Sequence, residues 1–494
     1  MLLLGIDIGS SSVKASVIDG ETGLCLASAY SPKEEMQIIA LKPGWAEQDT
    51  DLWWNHLTEA IRDCTRQLGN RKSNIGAIGI SYQMHGLVAI DKDLKVLRPS
   101  IIWCDSRAVG TGENAFNSIG RDYCLSHLLN SPGNFTASKL AWVKQNEPEI
   151  FNRIHKIMLP GDFIALRLTG EISTSYTGLS EGIFWDFLKN EVSGAVMKHY
   201  GFNNDLLPDA YSSFSVRGTL TKQVAVSLDL PAGIPVSYRA GDQPNNALSL
   251  NVLEPGEVAA TAGTSGVIYG VTDRKKFDPL SRVNTFLHVN HSEEKSRLGV
   301  LLCINGTGIL NSWLRRNSGN SLSYNEMNEL AGKVPPGSEG LLIFPFGNGA
   351  ERMLGNKDTG SQISGLSFNV HSSGHLYRAA QEGIAFSFRY GLDIMKETGI
   401  YPTVMRAGLA NMFLSSVFRE TLANVTSTPI SLYNTDGSIG AARGAGIGCG
   451  YYKSEKEAFR GLDTVGATEP AKDSSIYEDS YGRWKDLLNL YMKL

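Results

Sequence analysis

Two aspartates in this chain stand where a carboxylate could do chemistry. Asp7 lies in "LLLGIDIG" and Asp242 in "VSYRAGDQ", so each follows apolar sequence and sits close to a glycine. Aspartates at strand ends most often cap helices or make turns. If phosphates bind nearby, one carboxylate could orient a Mg²⁺ ion, directly or through water, and the other could accept a proton from an attacking hydroxyl. Such a pair would work mainly by positioning and charge neutralisation.

Two short turns could bring phosphates to these aspartates. The segment "GIDIGSSSVKASVID" (residues 5–19) is echoed by "AATAGTSGVIYGVTD" (residues 259–273). Each is an alternating apolar run, a Gly/Ser/Thr turn and a second alternating run, which is the pattern of a β-hairpin. A turn of this composition leaves backbone N–H groups free to hold phosphate oxygens. Two unrelated hairpins would give the same pattern, and Asp7 is matched by Thr261 in the second copy.

His85 and Trp103 are further candidates for contact with a ligand. His85 follows an apolar run in "YQMHG", where it could act as a general base or donate a hydrogen bond to a polar ligand. Trp103, beside Cys104 and Asp105, is the tryptophan best suited to a cleft. The C–H face of a sugar packs well on an indole ring.

Two glycine-containing motifs are weaker candidates. "GLSEG" (residues 178–182) matches the G-x-S-x-G of α/β hydrolases, but the polar sequence before it does not indicate a buried strand. "GSIGAARGAGIGCG" (residues 437–450) has the spacing of neither common nucleotide-binding loop. We interpret the second stretch as a helix whose glycines allow tight packing.

The length of 494 residues exceeds what one hydrophobic core usually supports, so two domains are expected. Each half opens with one of the hairpins and continues with alternating strands and helices, which predicts an α/β fold. The boundary is placed near residues 245–257, giving an N-terminal domain (1–245) and a C-terminal domain (246–494). In the first domain, "PGWAEQDTDLWWNHLTEAIRDCTRQL" predicts a helix capped by Asp49 or Thr50.

Composition excludes several classes of protein. A formal net charge of −4 argues against a general nucleic-acid binder. The six cysteines are dispersed and form no C-x-x-C pair, so neither a zinc site nor a disulfide scaffold is indicated. The N-terminus lacks a basic segment, and no apolar run reaches about 18 residues. We therefore expect a cytoplasmic protein with no nucleic-acid or membrane partner.

Several segments, in matching order and spacing, resemble the FGGY carbohydrate kinases and, within that family, the xylulokinases. They are "GIDIGSSSVK", "GWAEQDTDLWW", "YQMHG", "RPSIIWCDSR", "FTASKLAWVKQNEPEIF", "LPGDFIALRLTGE", "AGDQPNNAL" and "GTSG". The likeness extends over nearly the whole chain. It implies two domains of the actin-like, ribonuclease H-like ATPase fold, with ATP and a sugar meeting in the cleft between them.

The resemblance also implies roles for single residues. Asp242 would take the proton from the sugar hydroxyl, and Asp7 would lie near the Mg²⁺ ion and the transferred phosphoryl group. The sugar would contact Met84, His85, Trp103 and Gln243. The phosphates of ATP would contact Ser10, Ser11, Ser12, Gly263, Thr264, Ser265 and Gly266, and the nucleoside would lie near Gly308, Gly408 and Asn411.

Departures from the family pattern concentrate in the C-terminal half. "MRAGLANMFLSS" stands where xylulokinases have a triple glycine, and its "ANMFL" is closer to glycerol kinases. "GAERMLGN" replaces the usual "GERTP", and the aspartate after the "TGE" segment is replaced around Tyr176. These differences put the nucleoside contacts and the choice of sugar in doubt.

The hypothesis from sequence is an ATP-dependent kinase of a ketopentose, with D-xylulose, phosphorylated at O5, as the preferred substrate. The alternatives are a kinase of another sugar or polyol in the same family, such as L-ribulose, L-fuculose or glycerol, and an actin-like ATPase without sugar kinase activity. The expected partners are the sugar and ATP with Mg²⁺. The oligomeric state stays open, with a homodimer as one option.

Overall fold

The computed structural model describes residues 1–318 and 322–493. Besides short 3₁₀ and π turns, the helices are α1 (Thr50–Leu68), α2 (Val109–Ile119), α3 (Arg121–Tyr123), α4 (Thr136–Asn146), α5 (Pro148–Phe151), α6 (Pro160–Thr169), α7 (Tyr176–Glu181), α8 (Gly194–Tyr200), α9 (Lys222–Leu228), α10 (Asp242–Ser249), α11 (Gly308–Ser318), α12 (Tyr324–Gly332), α13 (Ser373–Glu397), α14 (Ser416–Thr426), α15 (Gly437–Gly448), α16 (Glu455–Ala458) and α17 (Ser475–Tyr491).

The strands are β1 (Leu2–Ile8), β2 (Val13–Asp19), β3 (Cys25–Ser31), β4 (Glu47–Gln48), β5 (Ile75–Tyr82), β6 (Val88–Ile90), β7 (Ser100–Ile101), β8 (Lys156–Met158), β9 (Thr174–Ser175), β10 (Trp185–Asp186), β11 (Glu191–Val192), β12 (Ala210–Tyr211), β13 (Val236–Gly241), β14 (Glu257–Ala262), β15 (Gly266–Thr272), β16 (Asn284–Leu287), β17 (Leu298–Ile304), β18 (Leu342–Phe344), β19 (Gln362–Ser364), β20 (Val404–Gly408), β21 (Ile430–Tyr433) and β22 (Thr464–Thr468).

These elements form two compact units. Unit 1 consists of Met1–Leu253, Thr285–Leu298 and Thr435–Leu462, and unit 2 consists of Glu254–Asn284, Gly299–Asn434 and Asp463–Leu494. Each unit contains a mixed sheet with helices, which confirms the predicted α/β class. In the described part of the chain, no helix is both long and apolar enough to cross a bilayer.

The sheet of unit 1 has the strand order β13-β5-β1-β2-β3. β1 and β2 form the predicted first hairpin, antiparallel and in a register that pairs Asp7 with Lys14. β1 also runs parallel to β5, and β5 runs parallel to β13. Because parallel neighbours end at the same edge, the C-terminal ends of these three strands bring Asp7, Gln83 and Asp242 to one edge of the sheet.

The sheet of unit 2 repeats this plan around the second hairpin. Six of its strands follow the order β17-β15-β14-β20-β21-β22. β14 and β15 are antiparallel, with Thr261 opposite Val267, and β14 and β21 are the parallel neighbours of β20. In both units, therefore, the hairpin has a further strand next to its second strand and two parallel strands next to its first, and in unit 2 the antiparallel β22 follows these two. This shared order makes the echo between the two hairpins more than a local coincidence.

Helix α15 explains why the distant segment Thr435–Leu462 belongs to unit 1. Its glycine-rich sequence forms the predicted tightly packed helix, which lies against β1, β5 and β13. The approach is so close that a Cβ on Gly5 of β1 or Gly79 of β5 would fall on the helix backbone. The predicted domains were continuous, 1–245 and 246–494, whereas the packing of α15 places Thr435–Leu462 with the N-terminal sheet.

Two other sequence interpretations concern single elements of unit 1. Helix α1 starts at Thr50, and Asp49 is its N-cap, since its side chain accepts a hydrogen bond from the Asp51 N–H at 2.9 Å. The "GLSEG" stretch is the end of α7 and the residue after it, preceded by only the two-residue strand β9. The geometry of a hydrolase elbow, a buried strand followed by a helix, is therefore absent from this part of the structure.

Candidate active site

Asp7 lies near the C-terminal end of β1, the central strand of the unit 1 sheet, one residue before the strand ends. Its carboxylate abuts the first residue of α15, where a Cβ on Gly437 would collide with it. The N-cap of that helix, Asp436, forms an ion pair with Lys14, 2.6 Å between Oδ2 and Nζ. Burial and, to a smaller extent, the Asp436 charge raise the pKa of Asp7, while the Ser81 hydroxyl and Lys14 oppose the shift. A bound cation would favour the ionised form of this carboxyl group.

Asp242 is the first residue of α10 and follows β13 directly. Gly241 occupies the N-cap position of α10. Asp242 is therefore not the capping residue of this helix, the role that an aspartate after a strand most often has. Burial raises the pKa of Asp242 to about 7, helped by the charge of Asp7 and opposed by hydrogen bonds from Gln243. A carboxyl group with a pKa near neutrality is suited to accept a proton from a hydroxyl group at neutral pH.

His85 is held in one orientation by contacts on several sides. Its backbone is left-handed, with φ 61°. The backbone N–H donates to Oε1 of Glu181 at 3.2 Å, and ring Nδ1 donates to the Glu181 carbonyl at 3.0 Å. The His85 ring makes an edge-to-face contact with Phe135, with 4.8 Å between the ring centroids, and its centroid lies 5.3 Å from that of Phe286. With Nδ1 committed as a donor, a neutral ring presents Nε2 as an acceptor for a ligand hydroxyl.

Glu181 connects His85 with the surroundings of Asp242. It is buried, which raises the pKa of its carboxyl group well above the ordinary range, and the charge of Asp242 acts in the same direction. Met84, also buried, packs against Gly241, because a Cβ there would meet both the Met84 side chain and Oε2 of Glu181. The structure therefore places two predicted sugar contacts, Met84 and Gln243, next to the Gly241–Asp242 step, and Glu181 connects the third, His85, with this region.

Trp103 lies by the first predicted phosphate turn. Its indole is 53 % exposed, and Nε1 donates to Oγ of Ser10 at 3.3 Å. Gln48 steadies the same turn by donating to the Ser10 carbonyl at 2.7 Å. Ser11 is exposed at the tip, and the Ser12 carbonyl accepts the hydrogen bond that closes the turn, at 3.0 Å.

The second predicted phosphate turn opens onto a cavity of about 500 Å³ in unit 2. The first residues of α11 pack against the turn, with Gly308 N–H donating to the Gly263 carbonyl at 2.9 Å. Four of the seven predicted nucleotide contacts in this unit line the cavity, namely Gly263, Thr264, Gly308 and Asn411. The other three lie beside it in the chain, Ser265 and Gly266 at the turn and Gly408 at the end of β20.

A larger cavity of unit 1, about 720 Å³, lies elsewhere, between the start of α1, residues 94–99 and α6. None of the predicted site residues lines it. Its charged residues Arg98 and Arg167 are paired with Glu47, Glu147 and Asp51, so we do not assign it to the chemistry.

Sequence reasoning missed three polar residues of the site. Lys14 and Asp436 are 422 positions apart, and Glu181 lies inside the rejected "GLSEG" motif. The sequence contained a signal for the first pair. Lys14 lies in the second strand of the predicted hairpin, as Asp7 lies in the first, and Asp436 directly precedes the glycine-rich stretch that begins with Gly437. Nothing in the local pattern distinguishes Glu181 from a solvent-exposed helical glutamate.

Comparison with known proteins agrees with this geometry. The N-terminal domain model of the FGGY family of carbohydrate kinases matches residues 2–249, and the C-terminal domain model matches residues 258–449. The xylulose kinase of Bacillus subtilis is 27% identical over 503 residues, covering 100% of this chain and 96% of its own.

Solved structures show the same fold. The crystal structure of xylulose kinase from Rhodospirillum rubrum is 25% identical with a TM-score of 0.90, covering 100% of both chains. The crystal structure of Plasmodium falciparum glycerol kinase with ADP is 21% identical with a TM-score of 0.89, and it covers 99% of this chain and 98% of that one. At this identity the likeness supports the shared fold and nothing further. The predicted actin-like fold is confirmed, and the chain belongs to the FGGY family of carbohydrate kinases.

Proposed function

We propose that this carbohydrate kinase transfers the γ-phosphoryl group of ATP to O5 of D-xylulose, with Asp242 as the general base. The observation that carries the proposal is the arrangement around Asp242 in unit 1. A carboxyl group whose pKa is raised to about 7 lies near a second carboxylate, Asp7, and follows Gly241, which packs against Met84 and Glu181. Glu181 in turn accepts a hydrogen bond from His85. The relatives named xylulose kinases support the choice of sugar.

In the proposed reaction the sugar hydroxyl oxygen attacks the γ-phosphorus of ATP. The hydroxyl proton passes to the Asp242 carboxylate, the new P–O bond forms, and the bond between the γ-phosphorus and the β–γ bridging oxygen breaks, releasing ADP. His85 Nε2 accepts a hydrogen bond from a second sugar hydroxyl, and the exposed indole of Trp103 packs on the sugar's C–H face. Met84 and Gln243 are proposed to contact the same sugar. Each of these contacts fixes the reacting oxygen relative to the base.

The residues around Asp7 fit a Mg²⁺ ion bound together with the phosphates. Mg²⁺ is commonly held by one or two carboxylates, substrate phosphates and water rather than by an all-protein cage. Among the described residues no cluster of three His, Cys, Asp or Glu side chains could hold a metal ion, whereas Asp7 offers a single carboxylate. When bound there, directly or through water, the ion would neutralise charge on the transferred group. Lys14, opposite Asp7 on the hairpin and paired with Asp436, is proposed as a second cationic group near the phosphates.

The nucleotide contacts follow from the two turns. Backbone N–H groups of the turn at Ser10, Ser11 and Ser12 and of the turn at Gly263–Gly266 are proposed to hold phosphate oxygens. The 500 Å³ cavity beside the second turn is proposed to take the nucleoside, with Gly308 and Asn411 in its wall and Gly408 close by in the chain.

A substrate panel tests the proposed function. Coupled ADP release is measured with D-xylulose, L-ribulose, L-fuculose, L-rhamnulose, gluconate and glycerol. We expect the highest kcat/KM with D-xylulose. A higher kcat/KM with ribulose or glycerol would contradict the assignment of D-xylulose as substrate but would still support the assignment as a sugar or polyol kinase. ATP turnover that no sugar changes, together with polymerisation, would instead support an actin-like ATPase.

Gly437→Ala tests the contact between α15 and Asp7. The new Cβ collides with the carboxylate, so either Asp7 or the helix must move. Because misplacement of a reacting group by about 1 Å can cost about 10²-fold in rate, we expect kcat to fall by that order. Steady-state kinetics with saturating ATP and sugar measure it.

The matched control for this substitution is Gly446→Ala on the same helix. Its Cβ would meet the Tyr452 ring and the Leu3 side chain, which lies at the opposite end of β1 from Asp7. We expect it to lower the melting temperature and to leave kcat within about twofold, since surrounding side chains relax at a cost in stability alone. Equal kcat in the two variants would show that α15 does not position Asp7.

A further inference from the structure

We propose that Lys139 is a positioning residue of the sugar site, where it joins the loop that carries His85 to the loop that carries Trp103. This inference rests on the proposed function, because it takes both residues as sugar contacts. Lys139 is the fourth residue of α4, and its side chain is fully buried in unit 1. Its ammonium group donates to the main-chain carbonyl of His85 at 2.8 Å and to that of Ile102 at 3.0 Å.

The two carbonyls belong to different loops. His85 follows β5 by three residues, and Ile102 follows β7 directly and immediately precedes Trp103. Apart from Lys139, two backbone hydrogen bonds, at 2.9 and 3.3 Å, join Leu87 with Ile101, the last residue of β7. The lysine therefore ties the two loops at the point nearest the two proposed sugar contacts.

Burial of a lysine without a paired carboxylate is costly, which calls for a compensating role. Among the described residues, no ion pair involves Lys139, and burial lowers the pKa of its ammonium group to about 7. Asp105 and the Cys104 thiol act to raise that pKa, and Arg107 acts to lower it. Within the described residues, two carbonyl oxygens thus provide the direct hydrogen bonds that hold this cation in place.

His85 depends on this contact because its backbone is left-handed, a conformation that costs a residue with a side chain. Glu181 holds its N–H and its ring nitrogen, and Lys139 holds its carbonyl. Without the ammonium group, the peptide after His85 can rotate. The ring then loses the orientation in which Nε2 meets a hydroxyl group.

Lys139→Met tests the proposal, with Lys144→Met as the matched control. Lys144 lies on the same helix and also donates to two main-chain carbonyls, those of Tyr200 at 2.8 Å and Gly201 at 2.6 Å, which belong to no proposed sugar contact. A charge-assisted hydrogen bond contributes about 1.5 to 3 kcal/mol, so we expect Lys139→Met to raise the KM for the sugar about 10- to 100-fold. The KM for ATP should stay within about twofold, and Lys144→Met should leave both constants unchanged.

A pH series gives a readout that a purely structural role would not produce. Below pH 7 the wild-type ammonium is charged, and its hydrogen bonds are strongest. As pH rises through this range the charge is lost, so the sugar KM of the wild type should increase. In Lys139→Met the KM should be high throughout and show no such increase. If Lys139→Met does not fold, Lys139→Gln, which keeps an uncharged NH₂ donor group, should give an intermediate KM.

The outcomes separate this proposal from the proposed function. A wild-type enzyme that phosphorylates no sugar in the panel contradicts the proposed function. A wild-type enzyme that does so, with a folded Lys139→Met or Lys139→Gln variant of unchanged sugar KM, contradicts the role of Lys139 alone.

Discussion

Asp242→Asn is expected to lower kcat by about 10²- to 10⁴-fold, the usual contribution of a general base. Asparagine keeps the size of the side chain and its hydrogen bonds to the sugar, but it has no lone pair basic enough to take the hydroxyl proton. The KM for the sugar should therefore change little. Steady-state kinetics and isothermal titration with the sugar measure the two effects separately.

The wild-type pH profile provides a second signature of the same base. The pKa of Asp242 is raised to about 7, so kcat/KM for the sugar should rise about tenfold per pH unit below pH 7. Above pH 7, kcat at saturating sugar should level off, whereas the titration of Lys139 raises the sugar KM. Asp242→Asn should show no such limb in its residual activity. An acid limb that persists in the variant would assign the titration to another group.

Asp186→Asn is the control for a change of carboxylate to amide. Asp186 is buried in unit 1 and hydrogen-bonded to Tyr123 and His127, and Asn can still accept backbone hydrogen bonds through its oxygen. We expect a loss of stability with kcat within about twofold. Near wild-type turnover of Asp242→Asn would remove Asp242 from the mechanism.

The same substitution should stabilise the fold above neutral pH. The pKa of Asp242 is 3.8 in an ordinary setting and about 7 in the folded protein. Between these values the folded chain holds a proton that the unfolded chain releases, so stability falls as pH rises through this window, and the loss is complete above pH 7. Asparagine does not titrate. Because Asp242 is partly exposed, we expect a gain of only about 1 to 2 kcal/mol at pH 8 and none at pH 4, measured by urea unfolding.

The elements that carry the site could be predicted because their signals are local. Alternation of apolar residues about a Gly/Ser turn predicted both hairpins, and the two sheets confirm them. An acidic cap before an apolar stripe predicted α1. No local signal assigned α15 to unit 1. Glycines on a helix surface indicate that the helix packs closely, but they do not indicate which sheet it packs against.

The site could be predicted less completely. Asp7 and Asp242 were found from their place after apolar runs beside glycine, and the structure brings them near each other. Lys139 and Glu181 were not found, because what distinguishes them is burial against main-chain groups of distant loops. A helical pattern records which side of a helix is apolar, and a buried lysine or glutamate appears in it as an ordinary charged position.

Asp7→Asn is expected to lower kcat by about 10²- to 10³-fold, with a raised requirement for Mg²⁺. The amide keeps the shape that fits against Gly437, but it is a weaker ligand for a hard cation and carries no charge to balance it. A titration of activity with Mg²⁺ at saturating ATP and sugar measures both effects. Asp19→Asn at the far end of the same hairpin is the control and should leave both within about twofold, because its Oδ1 accepts from the loop N–H groups of Glu21 and Thr22.

The variant should also shift the titration of Asp242, and this effect separates the electrostatic role of Asp7 from a purely structural one. Because the charge of Asp7 raises the pKa of Asp242, its removal should move the acid limb of kcat/KM to lower pH. A structural loss would lower activity at every pH and leave the limb in place. An unchanged limb together with an unchanged Mg²⁺ requirement would place Asp7 outside the reaction, whereas a displaced limb shows that the two carboxylates act on each other.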